Sequence, residues 1–360
     1  MNILILTHQG DIAGSTNSIS YLAKGLARRG HRVFVGLREE SLLFELLEDT
    51  GVIRVPMTFN GRFDTDNMYQ IRQLVKSEEI QIINAQSTFD RYTSVFAKWF
   101  YRLPVKVIHT RRQISKSVGG FAQNLVYVKG TDKVIAVSDG VKESLISCGI
   151  PEKHIVVIHN GTPKEKYENM NPKMVEIFRN RYKINGNDKV IGCVSRLKEQ
   201  VQIIEALKYL PFKVKMIFAG IEKKPEWDDI IAQYPIKHDL FFTGVLTGEE
   251  TLHLYKIFNI KVLASIIEGL SQSLLEAMYM KVPVIATNAA GNPDLITNGE
   301  DGLLFKDRDS KELAKKIEQL FQDSALREKL RNNGFETVSE RFSIDNTLDR
   351  IENLFSSLLK

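Results

Sequence analysis

Short apolar runs alternate with longer amphipathic segments along almost the whole chain, and this alternation is what most constrains its fold. The runs that read as strands fall at 2–7, 32–37, 80–85, 105–109, 133–137, 155–158, 189–194, 213–219, 239–242, 260–263, 282–286 and 302–305. Segments with helical spacing, such as 16–30 and 310–322, separate most of them. Strand–helix–strand alternation is typical of parallel sheets covered by helices on both faces. Two such series predict an α/β protein with two doubly wound, Rossmann-like domains.

The boundary between the two series lies near residue 165. A chain of 360 residues is longer than one ordinary core requires. The first series ends in turn residues, and 164–188 is polar and helical without a strand. We therefore expect an N-terminal domain over 1–165 and a C-terminal domain over 166–342. The segment 343–360 has apolar residues at helical spacing and is predicted to form a final helix.

The stretch 268–296 contains the strongest candidate site. Glu268 and Glu276 stand eight positions apart, and the turn Gly269 to Ser271 lies between them. Taken alone, two acids at this spacing are also consistent with solvated helix residues. A small turn that leads from a strand into a helix suits phosphate, because unpaired N–H groups and the helix dipole both favour an anion there. Ser271 is a candidate N-cap for that helix.

Two basic residues, Arg196 and Lys198, follow the predicted strand at 189–194. A guanidinium and an ammonium just beyond a strand end suit a diphosphate group. For Lys198, an ordinary surface position is an equally open interpretation. Positive groups placed where charge develops on a leaving group are often the largest single contribution to catalysis.

Several motifs together resemble the retaining nucleotide-sugar glycosyltransferases of glycosyltransferase family 4. They are the Glu-x7-Glu pair, the Glu-Ala-Met at 276–278 and the Pro-Val-Ile-Ala at 283–286. The resemblance extends over nearly the whole chain and is strongest in 258–305. It implies the GT-B fold, in which two Rossmann-like domains face a central cleft. It also implies that the final helix returns to the N-terminal domain.

The resemblance implies roles for individual residues. Glu268 would contact the donor sugar, and Glu276 would hydrogen-bond the ribose of the nucleotide. Arg196 and Lys198 would stabilise the leaving diphosphate as part of the catalytic set. The other implied donor contacts are loop residues, namely Gly14, Gly244, Val245, Gly269, Leu270 and Ser271.

The acceptor side departs from the family pattern. The family has a histidine at each of two strand ends. At the first of these, Ile83 is followed by amide side chains that begin with Asn84. At the second, this chain has Arg112. Asn84 and Arg112 are therefore our candidate acceptor contacts. His109, three positions before Arg112, is a candidate catalytic residue, and a packed position on an apolar strand is the other open interpretation.

No metal ion or other cofactor is expected. The pairs Asp64-x-Asp66 and Asp307-x-Asp309 imitate the metal-binding motif of a different transferase fold, but neither ends a strand of the donor site. No Gly-Lys-Ser/Thr phosphate loop and no strand-linked Gly-x-Gly-x-x-Gly is present in the sequence. Without these motifs, the sequence does not favour a nucleoside triphosphatase or an NAD-dependent enzyme.

The net charge of +5 is concentrated in the first domain, where residues 1–165 hold 21 lysines and arginines and 16 acids. Within 91–133 nine basic residues accompany one acid and several aromatic residues. Such a patch suits an anionic membrane or an anionic acceptor, and a solvated helix face is the alternative. No nucleic-acid-binding motif accompanies this charge, so nucleic acid is not an expected partner.

The sequence thus predicts a retaining, hexosyltransferase-type enzyme. It would move a sugar from a nucleoside-diphosphate sugar, with a UDP-sugar favoured, to a glycan, lipopolysaccharide or lipid-linked acceptor. A non-catalytic sugar-nucleotide or glycan-binding protein and a sugar-nucleotide epimerase remain open alternatives. No apolar run reaches the roughly 18 residues of a membrane-spanning helix. A cytoplasmic protein is expected, with contact to the inner face of the membrane through 91–133.

Overall fold

The computed structural model describes residues 1–11, 13–114, 120–168 and 170–360. Lys116, in the middle of the basic segment, lies outside the described residues. The chain divides into two units. The first comprises Met1–Pro163 and Phe342–Lys360, and the second comprises Lys164–Arg341.

The first unit is built on a seven-stranded sheet whose paired strands are all parallel, in the order β3-β2-β1-β4-β5-β6-β7. Its strands are β1 (Asn2–Leu6), β2 (Arg32–Leu37), β3 (Ile53–Pro56), β4 (Ile82–Ala85), β5 (Lys106–Arg111), β6 (Lys133–Ala136) and β7 (Ile155–Val157). Helices from the same part of the chain are α1 (Gly14–Arg28), α2 (Leu42–Leu46), α3 (Thr65–Ser77), α4 (Thr88–Tyr101), α5 (Phe121–Gly130) and α6 (Asp139–Ser147). A short 3₁₀ helix spans Glu152–His154.

The second unit has a six-stranded parallel sheet in the order β10-β9-β8-β11-β12-β13. Its strands are β8 (Val190–Val194), β9 (Lys215–Ala219), β10 (Asp239–Phe242), β11 (Ile260–Leu263), β12 (Val284–Thr287) and β13 (Leu303–Phe305). Its helices are α7 (Pro172–Arg181), α8 (Gln200–Leu207), α9 (Asp228–Ile231), α10 (Gly248–Tyr255), α11 (Gln272–Tyr279), α12 (Asn292–Leu295), α13 (Ser310–Gln322) and α14 (Ser324–Arg341). Two 3₁₀ helices, Lys164–Tyr167 and Pro225–Trp227, complete it.

Both sheets are doubly wound, as the alternation of apolar runs predicts. Ile3 to Leu6 of β1 are fully buried, because helices cover the sheet on both faces and leave no side exposed to water. The order of strands reverses between β1 and β4 in the first unit and between β8 and β11 in the second. Loops at the carboxyl ends of these strand pairs diverge to opposite faces, and ligands of such sheets bind there.

The last helix, α15 (Ile344–Leu359), packs on the first unit. Leu348 and Phe355 are buried in the same apolar cluster as β1 and α1. A Cβ atom at Gly25 of α1 would clash with the side chain of Leu348, so the two helices approach closely at this glycine. At the rim, Arg29 lies 2.6 Å from carboxylate oxygens of both Asp349 and Glu352.

The two aspartate pairs that imitate a metal motif contain helix caps. Oδ1 of Asp64 accepts a hydrogen bond from the backbone N–H of Asn67 at 3.0 Å, at the start of α3. Asp309 caps α13 in the same way, through the N–H of Glu312 at 2.8 Å. N-capping accounts for an aspartate at both positions.

Candidate functional site

Two loops of the second unit meet where its strand order reverses. One follows β8 and carries Arg196 and Lys198, and the other follows β11 and carries Glu268. Nζ of Lys198 lies 3.3 Å from Oε1 of Glu268 and also donates to the backbone oxygen of Ile267 at 3.1 Å. Arg196 is exposed in the same loop and forms no ion pair with the described residues. The structure therefore brings Lys198 and Glu268 into contact and leaves the guanidinium of Arg196 available to a ligand.

The loop after Glu268 leads directly into α11. Gly269, Leu270 and Ser271 are buried, and Oγ of Ser271 caps the helix by accepting from the N–H of Leu274 at 3.4 Å. The first turn of α11 contains no acidic side chain. A helix N-terminus with this cap, and with cations on the neighbouring loop, attracts a multiply charged anion.

Glu276 lies one turn further along α11 and is buried. Its Oε1 lies 2.6 Å from Nζ of Lys166, and its Oε2 accepts a hydrogen bond from the Tyr255 hydroxyl at 3.0 Å. Burial, followed by the nearby carboxylate, raises the pKa of Tyr255 well above its ordinary value, so this phenol stays protonated and donates. The Tyr167 ring beside Lys166 stacks on Tyr279 at 4.0 Å. The carboxylate is therefore fixed in position by two partners.

Gly244 and Val245 follow the edge strand β10. Gly244 has a φ of 66°, and its backbone carbonyl accepts from the N–H of Gly220 at 2.9 Å. This positive φ favours glycine, whereas the carboxylate of the exposed Glu222, which a Cβ atom at Gly244 would meet, could move aside. Val245 is 71% exposed, which is unusual for a valine and leaves an apolar surface beside this loop.

Lys261 was not among the residues predicted from the sequence. It lies on β11, between β8 and β12, and its side chain has an exposed fraction of 0%. Its Nζ donates to Oγ of Ser273, in the first turn of α11, at 2.9 Å. Burial lowers the pKa of Lys261 to about 8, against the opposing influence of Cys193, Glu268 and Glu276. A lysine in the apolar run Ile260–Leu263 is the one sequence signal that marked this position.

In the first unit, Asn84 and Arg112 lie at the carboxyl ends of the adjacent strands β4 and β5. Oδ1 of Asn84 accepts from the Thr110 hydroxyl at 2.8 Å, while its buried Nδ2 has no hydrogen-bond partner among the described residues. Arg112 donates twice to Oε1 of Gln86, at 3.0 and 2.7 Å, and once to Oδ1 of Asn160 at 2.7 Å. Burial lowers the pKa of Arg112 to about 10, which leaves it charged at neutral pH.

His109 lies on β5 but does not join these groups. Its side chain is buried and points away from those of Thr110 and Arg112, because successive side chains of a strand face opposite sides. Its Nδ1 lies 3.0 Å from the carbonyl oxygen of Ala85, and its Nε2 lies 3.2 Å from Nη1 of Arg91. Burial, with Arg91 and Arg111, lowers the pKa of His109 well below its ordinary value, so the ring is neutral. Of the two interpretations made from the sequence, the geometry favours the packed strand residue over the catalytic one.

Gly14, the remaining donor candidate, is the first residue of α1. No side chain of the described residues caps this helix, and its first turn contains no acid. The N–H groups of Thr16 and Asn17 bond to the carbonyl of Ala13, so the N–H groups of Gly14 and Ser15 are the ones left for an anion, as the small loop after β1 implies.

Several basic side chains of the segment 91–133 pair with other residues of the protein and are not available to an external partner. Arg91 is buried against His109 and donates to the hydroxyl of Tyr127. Nζ of Lys98 lies 2.7 Å from Asp132, and Nζ of Lys106 lies 3.6 Å from the same carboxylate. At the end of α4, Phe100 remains 73% exposed. Among the described residues, no helix is long and apolar enough to cross a membrane.

Comparisons with known protein families cover most of the chain. Residues 12–166 match the family described as Glycosyltransferase Family 4, and residues 174–337 match Glycosyl transferases group 1. The second match contains the loops after β8 and β11 together with α11. The first contains β4, β5 and the acceptor candidates.

Individual relatives are similar over most of their length. The capsular polysaccharide biosynthesis glycosyltransferase CapM of Staphylococcus aureus is 25% identical over 324 residues, which are 82% of each chain. Among solved structures, HepE of Anabaena in complex with UDP and glucose superimposes with a TM-score of 0.84 at 23% identity, covering 99% of this chain and 100% of that one. A glycosyltransferase from Rickettsia africae gives 0.85 at 24% identity, covering 100% and 98%. At these identities the structural likeness establishes the fold.

Proposed function

Since the chain belongs to glycosyltransferase family 4 and has the two-domain GT-B fold, we propose that this transferase is a retaining enzyme that takes its sugar from a nucleoside-diphosphate donor. The observation that carries the proposal is the contact between Lys198 and Glu268 at the head of α11. A helix N-terminus, a cation and a carboxylate meet there, where the loops after β8 and β11 come together. These are the groups needed to hold a diphosphate on one side and a sugar hydroxyl on the other.

Each donor-site residue has a proposed task. Glu268 accepts hydrogen bonds from the sugar, and Glu276, held by Lys166 and Tyr255, accepts them from the ribose hydroxyls. Arg196 and Lys198 offset the charge that grows on the diphosphate as the bond to the sugar breaks. The N–H groups from Gly269 to Ser271 bind the same phosphates, while Gly244 and Val245 meet the base.

Retention of configuration in this proposal uses no protein nucleophile. The bond between the anomeric carbon and the diphosphate oxygen breaks while the acceptor oxygen forms its bond on the same face. The acceptor hydroxyl gives its proton to the departing phosphate oxygen, so charge and atoms balance. His109 has no part in this step, because both its ring nitrogens already contact protein atoms in a buried position.

A UDP-sugar is the donor that we favour. HepE, which shares the fold, was solved with UDP and glucose. For the acceptor we propose a glycan, a lipopolysaccharide or a lipid-linked sugar, and the name of CapM, capsular polysaccharide biosynthesis glycosyltransferase, supports this class. Two groups supply donors for acceptor oxygens: Nδ2 of Asn84, which has no partner among the described residues, and the charged Arg112, which donates to the amide oxygens of Gln86 and Asn160.

Calorimetric titration with UDP, GDP, ADP and CMP tests the donor site. We expect one diphosphate to bind with micromolar affinity and Glu276→Ala to weaken it roughly tenfold or more. The matched control is Glu328→Ala, which removes an exposed glutamate from α14. Absence of binding by the unaltered protein would contradict the proposed donor site.

Incubation with the matching sugar nucleotide then separates the reaction classes. A transferase releases the diphosphate, slowly by hydrolysis without acceptor and faster with one. A non-catalytic binding protein leaves the donor intact, and an epimerase changes the sugar nucleotide itself, which chromatography of the products detects. Because cationic side chains offset the leaving-group charge in this proposal, we expect the same rate in excess EDTA.

We also propose peripheral contact between the end of α4 and an anionic membrane. The exposed rings of Phe100 and Trp99 lie beside Arg102, which is exposed as well. Apolar rings with an adjacent cation suit the headgroup region of a bilayer.

A further inference from the structure

Lys261 places a positive charge in the interior of the second unit. It lies on β11 with an exposed fraction of 0%, and no described carboxylate lies within ion-pair distance of its Nζ. The one hydrogen bond that it makes with the part of the chain that the structure describes goes to a neutral group, Oγ of Ser273, at 2.9 Å. The other buried lysine of this sheet, Lys215 on β9, instead lies 3.3 Å from the carboxylate of Asp239.

This position is costly for a cation in the free protein. Transfer of an ammonium out of water is unfavourable unless an opposite charge compensates it. Ser273 lies in the first turn of α11, where the helix dipole is itself positive. Two positive ends therefore converge, and the two carboxylates that favour the ammonium, Glu268 and Glu276, form no ion pair with it. The arrangement becomes favourable when a multiply charged anion lies over the N-terminus of α11.

A chain of hydroxyl groups connects the lysine to that N-terminus. Oγ of Ser273 lies 3.3 Å from Oγ of Ser271, the N-cap residue. Because the ammonium donates to Ser273, the hydroxyl hydrogen of Ser273 is left to donate to Ser271. Oγ of Ser271 then accepts from Ser273 and from the N–H of Leu274. Its own hydrogen is then left to donate to another group, such as a ligand of the loop.

We propose that Lys261 is a positioning residue of the donor site, which orients the Ser271 hydroxyl through Ser273 and supplies a buried positive charge beneath the diphosphate. This inference rests on the proposed function, because the anion that it requires is the donor diphosphate. Lys261 itself touches no ligand, since its side chain is fully buried. It acts by orienting Ser271 through Ser273 and by the electrostatic attraction of its positive charge for the diphosphate.

Binding of a diphosphate should change the protonation of Lys261. Burial lowers the pKa of Lys261 to about 8, so near pH 8 about half of the molecules hold the proton. A bound diphosphate favours the ammonium, so binding draws in protons at this pH. The titratable groups around Lys261 are Cys193 on β8, Glu268 in the loop and Glu276 on α11. Burial raises the pKa of Cys193, which keeps it a thiol before and after binding, so it takes up none of these protons.

Titration calorimetry with UDP at pH 8, in two buffers of different ionisation enthalpy, measures that proton uptake. The phosphates of UDP are already fully ionised at this pH, since a terminal phosphate has a pKa near about 6. For the unaltered protein we expect uptake of about half a proton for each UDP bound. Lys261→Met is expected to abolish the uptake and to weaken binding at pH 7 about tenfold. Ser273→Ala is expected to weaken binding severalfold and to keep the uptake, because the ammonium remains.

The matched control is Lys215→Met, which removes the other buried lysine of the sheet and is expected to keep both affinity and proton uptake. Uptake by Lys261→Met equal to that of the unaltered protein would overturn the inference alone, as would unchanged affinity in that variant. If Lys261→Met does not fold, unchanged affinity in Ser273→Ala overturns it. If UDP, GDP, ADP and CMP all fail to bind the unaltered protein, the proposed function fails together with this inference.

Discussion

Nζ of Lys166 lies 2.6 Å from Oε1 of Glu276, and both side chains are largely buried. Lys166 comes from the 3₁₀ helix that opens the second unit, whereas Glu276 lies more than a hundred residues later on α11. The Tyr255 hydroxyl completes the arrangement at 3.0 Å. The carboxylate that we assign to the ribose is therefore oriented before any ligand arrives, which reduces the entropy lost on binding.

Lys166→Met removes the cation and leaves the buried carboxylate of Glu276 with the Tyr255 hydroxyl as its remaining side-chain partner among the described residues. We expect the free energy of unfolding to fall by about 2 kcal/mol, because breaking one side of a buried pair leaves a charge uncompensated. Urea unfolding measures the change. Lys173→Met, at an exposed position of α7, is the control and should stay within about 0.5 kcal/mol of the unaltered protein. Equal stability of the two variants would show that the pair contributes nothing.

Arg196→Ala should affect turnover far more than donor binding. The guanidinium is exposed and unpaired among the described residues, and its proposed task begins only when charge builds on the leaving group. We expect kcat to fall about 10²–10³-fold. The Kd for UDP should rise less than about fivefold. Steady-state kinetics and calorimetry on the same preparation give both values, with Arg331→Ala on α14 as the control. Equal losses in kcat and affinity would contradict the assignment.

Replacement of Lys261 should increase stability at neutral pH. Burial lowers its pKa to about 8, whereas an unfolded chain holds the lysine proton up to about pH 10.4. Between these values the unfolded state binds more protons, so the stability of the native protein rises as pH rises from about 8 to 10. Lys261→Met lacks this penalty and should be more stable at pH 7 by an amount on the order of 3 kcal/mol. The advantage should shrink toward pH 10. Urea unfolding at pH 7, 8.5 and 10 checks both points, and parallel pH profiles would refute them.

His109→Gln separates packing from catalysis. Burial and two arginines lower the pKa of His109. Below about pH 6.5 the histidine of the unfolded state therefore binds a proton, whereas that of the native state stays neutral. The unaltered protein should therefore lose stability as pH falls below about 6.5, and the variant should lose less. We expect kcat/KM at pH 7.5 to stay within about threefold. A hundredfold loss of kcat with unchanged stability would return His109 to the catalytic set.

Phe100→Ser should weaken sedimentation with vesicles that contain phosphatidylglycerol. The exposed ring is the apolar part of the proposed membrane contact, and a serine cannot enter the headgroup region favourably. A fall in the bound fraction of about threefold or more is expected at physiological salt. Tyr69→Ser, which removes an exposed ring from α3, is the control. Equal binding by both variants, or no binding by the unaltered protein, would reject the contact.

The parts of the fold that the sequence predicts well are those with a local, repeating signal. Central strands of a parallel sheet are buried on both faces and read as unbroken apolar runs, as Ile3 to Leu6 do. The edge strand β3 was not predicted. It is four residues long, it ends in a proline and its Ile53 is exposed, so the pattern there is weak.

Contacts between residues far apart in the sequence could not be predicted from the sequence alone. Lys166 was not identified, because nothing local shows that its ammonium reaches Glu276. Asn84 and Arg112 were predicted from departures at strand ends, and they lie at the carboxyl ends of the adjacent strands β4 and β5. His109 directly precedes Thr110 in the chain, and because successive side chains of a strand face opposite sides, its side chain lies on the other face of β5. The Gly269 to Ser271 turn was recognisable because its strand, turn and helix are consecutive.

The position of α15 affects how the protein is made. The apolar cluster that closes over β1 includes Leu348, Ile351 and Phe355, which the ribosome adds only after the whole second unit. A nascent chain that has reached Arg341 therefore holds every residue of the second unit but lacks one wall of the first. Domains commonly fold in order of synthesis. Here the first unit emerges first but is completed last. Until α15 has been synthesised, the apolar surface that this helix covers stays exposed and can promote aggregation.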